Sequence, residues 1–254
     1  MSRHLRADQL LVAKALVRSR TRAQRLIRNA RVRLAEGERL RTLARPGEKL
    51  PPESRFVLIE DPEERYVSRA GLKLEALLEA DPTALAGRTV LDVGQSTGGF
   101  TDCALRFDAR RVIGIEVGHG QLDPGLRADA RVTVLEGVNA RHLPDARLKA
   151  LAPEGPGAAV MDVSFISQTL ILPELARLLP VGARLLSLVK PQFELSPEQI
   201  GAGGLVRDPA CYRRVETRLR DGCRACGFAI ERFIESPITG GDGNREFLLA
   251  AVRR

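Results

Sequence analysis

The sequence predicts an α/β protein: a doubly wound, mostly parallel sheet preceded by a small α+β unit. Three observations carry this. From about residue 69, apolar runs such as TVLDV, VIGIE, AAVMD and RLLSLV alternate with helical stretches, the pattern of parallel strands buried on both faces. The first run leads straight into LDVGQSTGGFTD, a turn rich in small residues where such folds hold their ligands. The charge is also lopsided: residues 1–60 carry 15 Lys and Arg against 6 Asp and Glu, whereas residues 61–254 carry 25 against 26. The predicted division is a domain over 3–60, a linker over 61–68 and a second domain over 69–254.

In the first domain, Asp8 can cap a helix whose Leu10, Leu11, Ala15 and Leu16 fall at helical spacing. Ser19 or Thr21 can cap a second, with Ala23, Leu26 and Ile27 on one face, and Asn29 and Ala30 end it. The alternating runs RVRL and RFVLIE read as strands. Arginines along the free helix face suit a polyanion, since each phosphate neutralised releases counterions. Phe56 is the one aromatic here, so base stacking is not the expected mode; shape and phosphate recognition of structured RNA or a duplex is. The candidate RNA contacts are Arg6, Arg18, Arg20, Arg22, Arg25, Arg28 and Arg31. The linker, DPEERYVSR, has no flexible Gly/Ser tract, and Tyr66 within it is expected to pack at the domain junction.

The second domain reads in order as helix RAGLKLEALLEA, strand TVLDVG, a helix near GGFTDCALR, and strands RVIGIEV, RVTVLEG and AAVMDV. Helix FISQTLILPELARLL, strand RLLSLVK, helix PACYRRVETRLRDGCRACG, strand FAIERFIE and strand EFLLAAVR complete it. The last two strands are joined by a loop alone, which predicts an antiparallel edge.

Other classes are disfavoured. Four cysteines in 254 residues make no disulfide framework and suit a reducing compartment. The N-terminus lacks an apolar signal-peptide core, and no run approaches roughly 18 apolar residues, so a cytoplasmic protein without a membrane partner is expected. Cys223-x-x-Cys226 lacks a second ligand pair, and His4, His119 and His142 supply no such spacing, so no metal is expected.

In the glycine turn, Gly94, Gly98 and Gly99 allow close backbone approach. The spacing G-x-x-x-G-G departs from the dinucleotide fingerprint G-x-G-x-x-G, and no G-x-x-x-x-G-K-[ST] occurs for a triphosphate. A ligand with an amino-acid-like portion remains, and S-adenosylmethionine fits. Its ribose hydroxyls then want an acid at the end of the second strand, where Glu116 closes VIGIE.

The stretch SRTRAQRLIRNARVRL resembles the αL RNA-binding module of the ribosomal S-four type. Over nearly the whole chain, YVSRAGLKL, DVGQSTGGFTD, GHGQL, MDVSFIS, LVKPQFE, GGLVRDP and SPITGGDGNREF, in that order, resemble the TlyA family. Its members join that module to an FtsJ-like methyltransferase domain with a Rossmann-like sheet. The resemblance implies S-adenosylmethionine-dependent methylation of a ribose 2′-hydroxyl, of cytidine, in ribosomal RNA or ribosomal subunits. It also implies a Lys-Asp-Lys-Glu tetrad, matched by Lys73, Asp162, Lys190 and Glu246. Lys190 is assigned as the base, Asp162 and Glu246 as carboxylates that orient the lysines, and Lys73 as stabiliser of the alkoxide or orienter of the ribose. Cofactor contacts carry over to Gly94, Gln95, Ser96, Thr97, Gly98, Gly99 and Phe100, to Glu116 and Val117, to Asn139 and to Asp162. Departures from the family pattern are Ala70 for glycine, Gln95 for alanine, Glu116 for aspartate and His119 for an aromatic, with Asp123-Pro124 where helix formers are expected. Two rival readings are an RNA-binding or ribosome-assembly factor without turnover and a membrane-active haemolysin, an older label of the family.

Overall fold

The computed structural model describes residues 4–17, 19–59 and 65–254. The chain divides into two compact units, Met1–Arg65 and Tyr66–Arg254.

The first unit opens with β1 (Leu5–Arg6), α1 (Ala7–Ala13) and α2 (Arg20–Arg28), followed by β2 (Val32–Glu36), β3 (Arg39–Thr42), β4 (Lys49–Leu50) and β5 (Arg55–Leu58). Strands β3, β2 and β5 form an antiparallel sheet in that order, and β1 pairs with β4. Ala7, Leu10, Leu11, Ala23, Leu26, Ile27, Val32 and Leu34 make the core. Ser19 caps α2, its Oγ accepting from Arg22 N, and Ala30 leaves the helix in a left-handed turn. Asp8 is no cap. It lies in the first turn of α1, fully buried, where Arg6 and Arg20 each approach it to 3.0 Å and Gln24 donates at 2.7 Å. Burial alone would raise its carboxyl, but these donors outweigh it and hold the group far below the carboxylate range. Strands β1, β3 and β4 carry too few apolar residues to be read from the sequence.

The second unit runs α3 (Ala70–Leu78), β6 (Thr89–Val93), α4 (Gly99–Arg106), β7 (Arg111–Glu116), α5 (Pro124–Ala128), β8 (Val132–Glu136), α6 (Asp145–Leu151) and β9 (Ala158–Met161). It continues with α7 (Leu172–Leu178), β10 (Arg184–Val189), α8 (Pro191–Glu194), α9 (Pro209–Ala225), β11 (Phe228–Glu235) and β12 (Phe247–Arg253). The sheet order is β11-β12-β10-β9-β6-β7-β8. β8, β7, β6, β9 and β10 are parallel neighbours, and β12 is antiparallel to both β10 and β11. The last two strands thus pair antiparallel at the edge of the sheet, as expected, with β11 outermost and β12 between it and β10. Chain order reverses on either side of β6, so the crevice of a doubly wound sheet opens between the ends of β6 and β9. Apolar clusters cover both faces.

Three further expectations are corrected. FISQTLILPELARLL is not one helix: Phe165 sits at φ 63°, a 3-10 turn covers Gln168–Leu170, and α7 begins only at Leu172. Asp123-Pro124 does not abolish the local helix. Asp123 caps α5 by accepting from Gly125 N, and Pro124 occupies the first turn, where its missing N–H costs nothing. Tyr66 is no linker residue; it packs in the core of the second unit, its hydroxyl donating to Glu75 at 2.9 Å. Residues 61–64 of the predicted linker lie outside the described residues. Among the described residues, no helix is long and apolar enough to cross a membrane.

Candidate active site

The turn after β6 is shaped by its backbone. Gly94 has φ 83°, and a Cβ there would lie 2.4 Å from the Asp162 carbonyl oxygen at the end of β9. Only glycine permits that approach. Asp162 N in turn donates to Val93 O at 3.0 Å, so the two strand ends are joined by backbone. What lies against the other two glycines is protein, not ligand space: a Cβ on Gly98 would strike Leu122 and Leu126, and one on Gly99 would strike Ser68 and Ala70.

A cleft of about 420 Å³ opens beside this turn. Six of the expected cofactor contacts line it: Gly94, Ser96, Glu116, Val117, Asn139 and Asp162. Its apolar wall is Ile115, Val138, Ala140, Val163 and Ile166. Glu116 accepts from Ser96 N and Gly118 N, both at 2.8 Å. Its extra carbon relative to aspartate lets the carboxylate fold back onto the loop, and a carboxylate has about four acceptor positions, so two stay available to hydroxyls.

Gln95, Phe100, Gly98, Gly99 and Thr97 do not line the cleft. Phe100 is core, because the helical turn at Gly99–Arg106 rotates it inward against the α3 side. Gln95 points beneath the turn, its Nε2 donating to Thr101 Oγ1 at 2.9 Å, and Thr101 donates to Asp92 Oδ2 at 2.6 Å. Gly114 makes room for it, since a Cβ there would overlap the Gln95 amide. Asp92 is fully buried, and that burial, with Asp162 and Glu116 adding to it against the Thr101 bonds, pushes its carboxyl up to about 7. Thr97 is exposed, and its carbonyl accepts from Asp123 N.

The four tetrad positions form two ion pairs. Lys73 Nζ, projecting from α3, donates to Glu246 Oε2 at 2.5 Å, with side chains 10% and 3% exposed. Lys190, directly after β10, lies 2.6 Å from Asp162 Oδ1 and donates to Ser164 Oγ at 3.0 Å. Glu246 precedes β12, and a Cβ on Gly240 would come within 2.8 Å of its Oε1, so the SPITGGDGNREF loop closes tightly over it. Burial pushes the Glu246 carboxyl above its usual range; Lys73 and Lys190 pull against that shift and Asp162 adds to it. The charges of both pairs therefore act at one carboxyl.

Sequence reasoning missed several contributors. Ser164 and Phe165 sat inside the quoted motif MDVSFIS. Phe165 is 90% exposed at the cleft mouth, in a left-handed conformation costly for a bulky residue, with its ring centroid 5.0 Å from that of Phe193. Behind it, Glu194 accepts from Ser167 Oγ and Gln168 N, and Gln168 donates to Leu188 O, which braces the segment between Asp162 and Lys190. Of the arginines expected to meet RNA, Arg6 and Arg20 are spent on Asp8, and Arg18 lies outside the described residues. Arg28 is exposed on α2, away from Ala23, Leu26 and Ile27; Arg22, Arg25 and Arg31 are half-buried. Cys223 is core at the end of α9, its thiol pushed up to about 12 by burial, with Cys226 in the following cap.

Residues 66–253 match the model of a family described as FtsJ-like methyltransferase. The chain is 43% identical over 248 residues to the "Putative rRNA methyltransferase YqxC" of Bacillus subtilis, covering 98% of this chain and 85% of that protein. It is 38% identical over 253 residues to the 16S/23S rRNA (cytidine-2'-O)-methyltransferase TlyA of Mycobacterium tuberculosis, covering 98% and 90%. Among solved structures, "Putative hemolysin from Streptococcus thermophilus" superposes with a TM-score of 0.74 at 36% identity, over 100% of this chain and 90% of that one. The glycine turn, the acid after the second strand and the two lysine–carboxylate pairs thus stand in a chain of known kind: it belongs to the FtsJ-like methyltransferase family, in its TlyA group.

Proposed function

We propose that this protein methylates the ribose 2′-hydroxyl of a cytidine in ribosomal RNA, with S-adenosylmethionine as methyl donor. The observation that carries the reading is the convergence of Lys73–Glu246 and Lys190–Asp162 beside the cleft at the crevice of the sheet. The cleft suits the cofactor: Glu116 retains acceptor positions for ribose hydroxyls, the apolar wall suits an adenine, and Gly94 brings bare backbone to the methionine portion. When bound, S-adenosylmethionine supplies a methyl group from its sulfonium and leaves as a thioether.

The protein's own task is orientation and proton removal. Lys190 Nζ, entering the step as a neutral amine after releasing its own proton to solvent, takes the 2′-proton as the 2′-oxygen bonds to the methyl carbon, and Asp162 then holds the ammonium that results. Lys73, held by Glu246, steadies the developing negative charge on that oxygen. Phe165, exposed at the mouth, offers a ring on which an unstacked base can lie. The first unit, with Arg28 outward on α2, supplies phosphate contacts; a ribosomal RNA substrate supports a cytoplasmic protein with assembling or finished subunits as partners.

The test is incubation with ribosomal RNA, small subunits and large subunits, each with labelled S-adenosylmethionine, followed by nucleoside analysis. Label recovered as 2′-O-methylcytidine is the expected result. Label on a base, or none in any RNA, overturns the reading.

A further inference from the structure

We propose that the edge of the sheet opposite the active site carries a second anion site, a cavity walled by Arg88, Arg110 and Arg111 that binds the phosphodiester backbone of RNA. The inference rests on the reading that the substrate is RNA.

The cavity, about 730 Å³, lies at the N-terminal ends of β6, β7 and β8. Each of the three guanidiniums is anchored to a neutral oxygen: Arg88 Nη1 donates to Gly157 O at 3.2 Å, Arg110 Nη2 to Thr89 Oγ1 at 3.2 Å and Arg111 Nη1 to Leu151 O at 3.1 Å. None of the three lies within ion-pair distance of a carboxylate among the described residues. Arg131 also lines the cavity but is neutralised by Asp129, 2.7 Å away. Glu154 is the lone acid on the wall. Elsewhere in this unit arginines find acids readily: Arg184 meets Asp81 and Glu231, Arg177 meets Asp145 and Glu174, and Arg245 meets Glu235. In a stretch of chain with almost no net charge, three neighbouring guanidiniums without acids are a local excess of cation.

Their geometry suits the ligand. One nitrogen of each planar fork is fixed by backbone or hydroxyl, which immobilises the group and leaves its remaining donors for an oxyanion; two oxygens of a tetrahedral phosphate match that fork in two-pronged fashion. No aromatic residue lines the cavity, so nothing there stacks a base, and the charged backbone rather than the nucleobase is recognised. Strand β7 runs six residues from Arg111 to Glu116, roughly 17 Å at about 3.3 Å per step. A small substrate cannot touch both edges, whereas a folded RNA presents phosphates at such separations.

The experiment uses the full chain and a fluorescent RNA hairpin, with dissociation constants measured over a range of salt concentration. In the R88Q/R110Q/R111Q variant, the slope of log Kd against log salt is expected to shrink by about 2, at 0.7–0.9 per phosphate contact, with affinity at low salt down at least about tenfold. S-adenosylmethionine affinity by calorimetry and the thermal midpoint are expected to match wild type. The R88K/R110K/R111K variant keeps the charges and is expected to recover the slope. It also serves, with protection of the wild-type arginines from phenylglyoxal by the hairpin, if the glutamine variant does not fold. An unchanged slope in the glutamine variant, or no protection by the hairpin, overturns the proposal. Protection by inorganic tripolyphosphate but not by the hairpin overturns the RNA assignment. Wild-type protein that methylates ribosomal RNA while these arms fail isolates the failure to this site; wild type that neither methylates nor binds RNA sinks both readings.

Discussion

The two edges of the large sheet use cations in opposite ways. At the carboxyl edge, Lys73 and Lys190 each touch a carboxylate, at 2.5 and 2.6 Å, and are largely sheltered from solvent. At the amino edge, Arg88, Arg110 and Arg111 touch only neutral oxygens. Pairing buys geometry: a lysine fixed by a carboxylate can be aimed at one substrate atom, and the site stays near neutral. Leaving cations unpaired keeps a field that reaches a polyanion through solvent, to about 8–10 Å at ordinary salt. Substitutions at the first edge should therefore change a rate, and those at the second a salt dependence.

The largest expected effect is on Lys190. Lys190→Ala should lower single-turnover methyl transfer by about 10²–10⁴, the usual worth of a positioned base, with cofactor affinity by calorimetry within about threefold of wild type. A variant transferring methyl groups at the normal rate would remove Lys190 from the chemistry and collapse the contrast between the edges. Glu246→Gln leaves Lys73 buried without its counter-charge. Breaking a buried pair in this way typically costs about 3–5 kcal/mol, so a clear fall in thermal midpoint should accompany the lost activity. Phe165→Ala should reduce kcat/KM by about tenfold or more, from stacking worth about 1–3 kcal/mol, with no loss of stability, since the ring is exposed and its backbone strained. Glu116→Ala should weaken S-adenosylmethionine binding by about tenfold, measured by titration calorimetry, and leave RNA binding alone.

A separate effect, on stability alone, is a pH dependence from Asp92. Its carboxyl titrates near 7 in the folded chain and near 3.9 when unfolded, so between those values the folded state holds a proton that the unfolded state lacks. Stability should fall as pH rises through that window, by up to about 4 kcal/mol. Asp92→Asn should flatten that part of the profile in chemical denaturation at a series of pH values.

Much of this was legible in the sequence because it is written in short, local signals. Glycine at 94 marks a backbone approach, Glu116 marks a strand end, and Asp162 and Lys190 directly follow apolar runs, whereas Lys73, inside α3, and Glu246 were pointed to only by the family resemblance. Helix α6 and strand β3 escaped because their polar faces, in DARLKAL and RLRT, interrupt the periodicity that reveals an element. Side-chain direction was the other blind spot. Gln95 and Phe100 lie in the turn by position, yet one reaches under it to Thr101 and the other into the core. Phe165 was hidden by its apolar neighbours, which read as helix; its exposure follows from a left-handed backbone that no pattern of residue types announces. Asp8 looked like a cap because short acids often are, while the long-range partners that bury it lie across a second helix.

The contact between Gly94 and the Asp162 carbonyl has a mechanical consequence. The turn after β6 and the strand end that carries Asp162 are joined through main chain, which resists their swinging apart as a jaw would. In the proposed reaction, bringing reactants into line then falls to the nucleic acid, whose sugar must be delivered to a site that does not close around it.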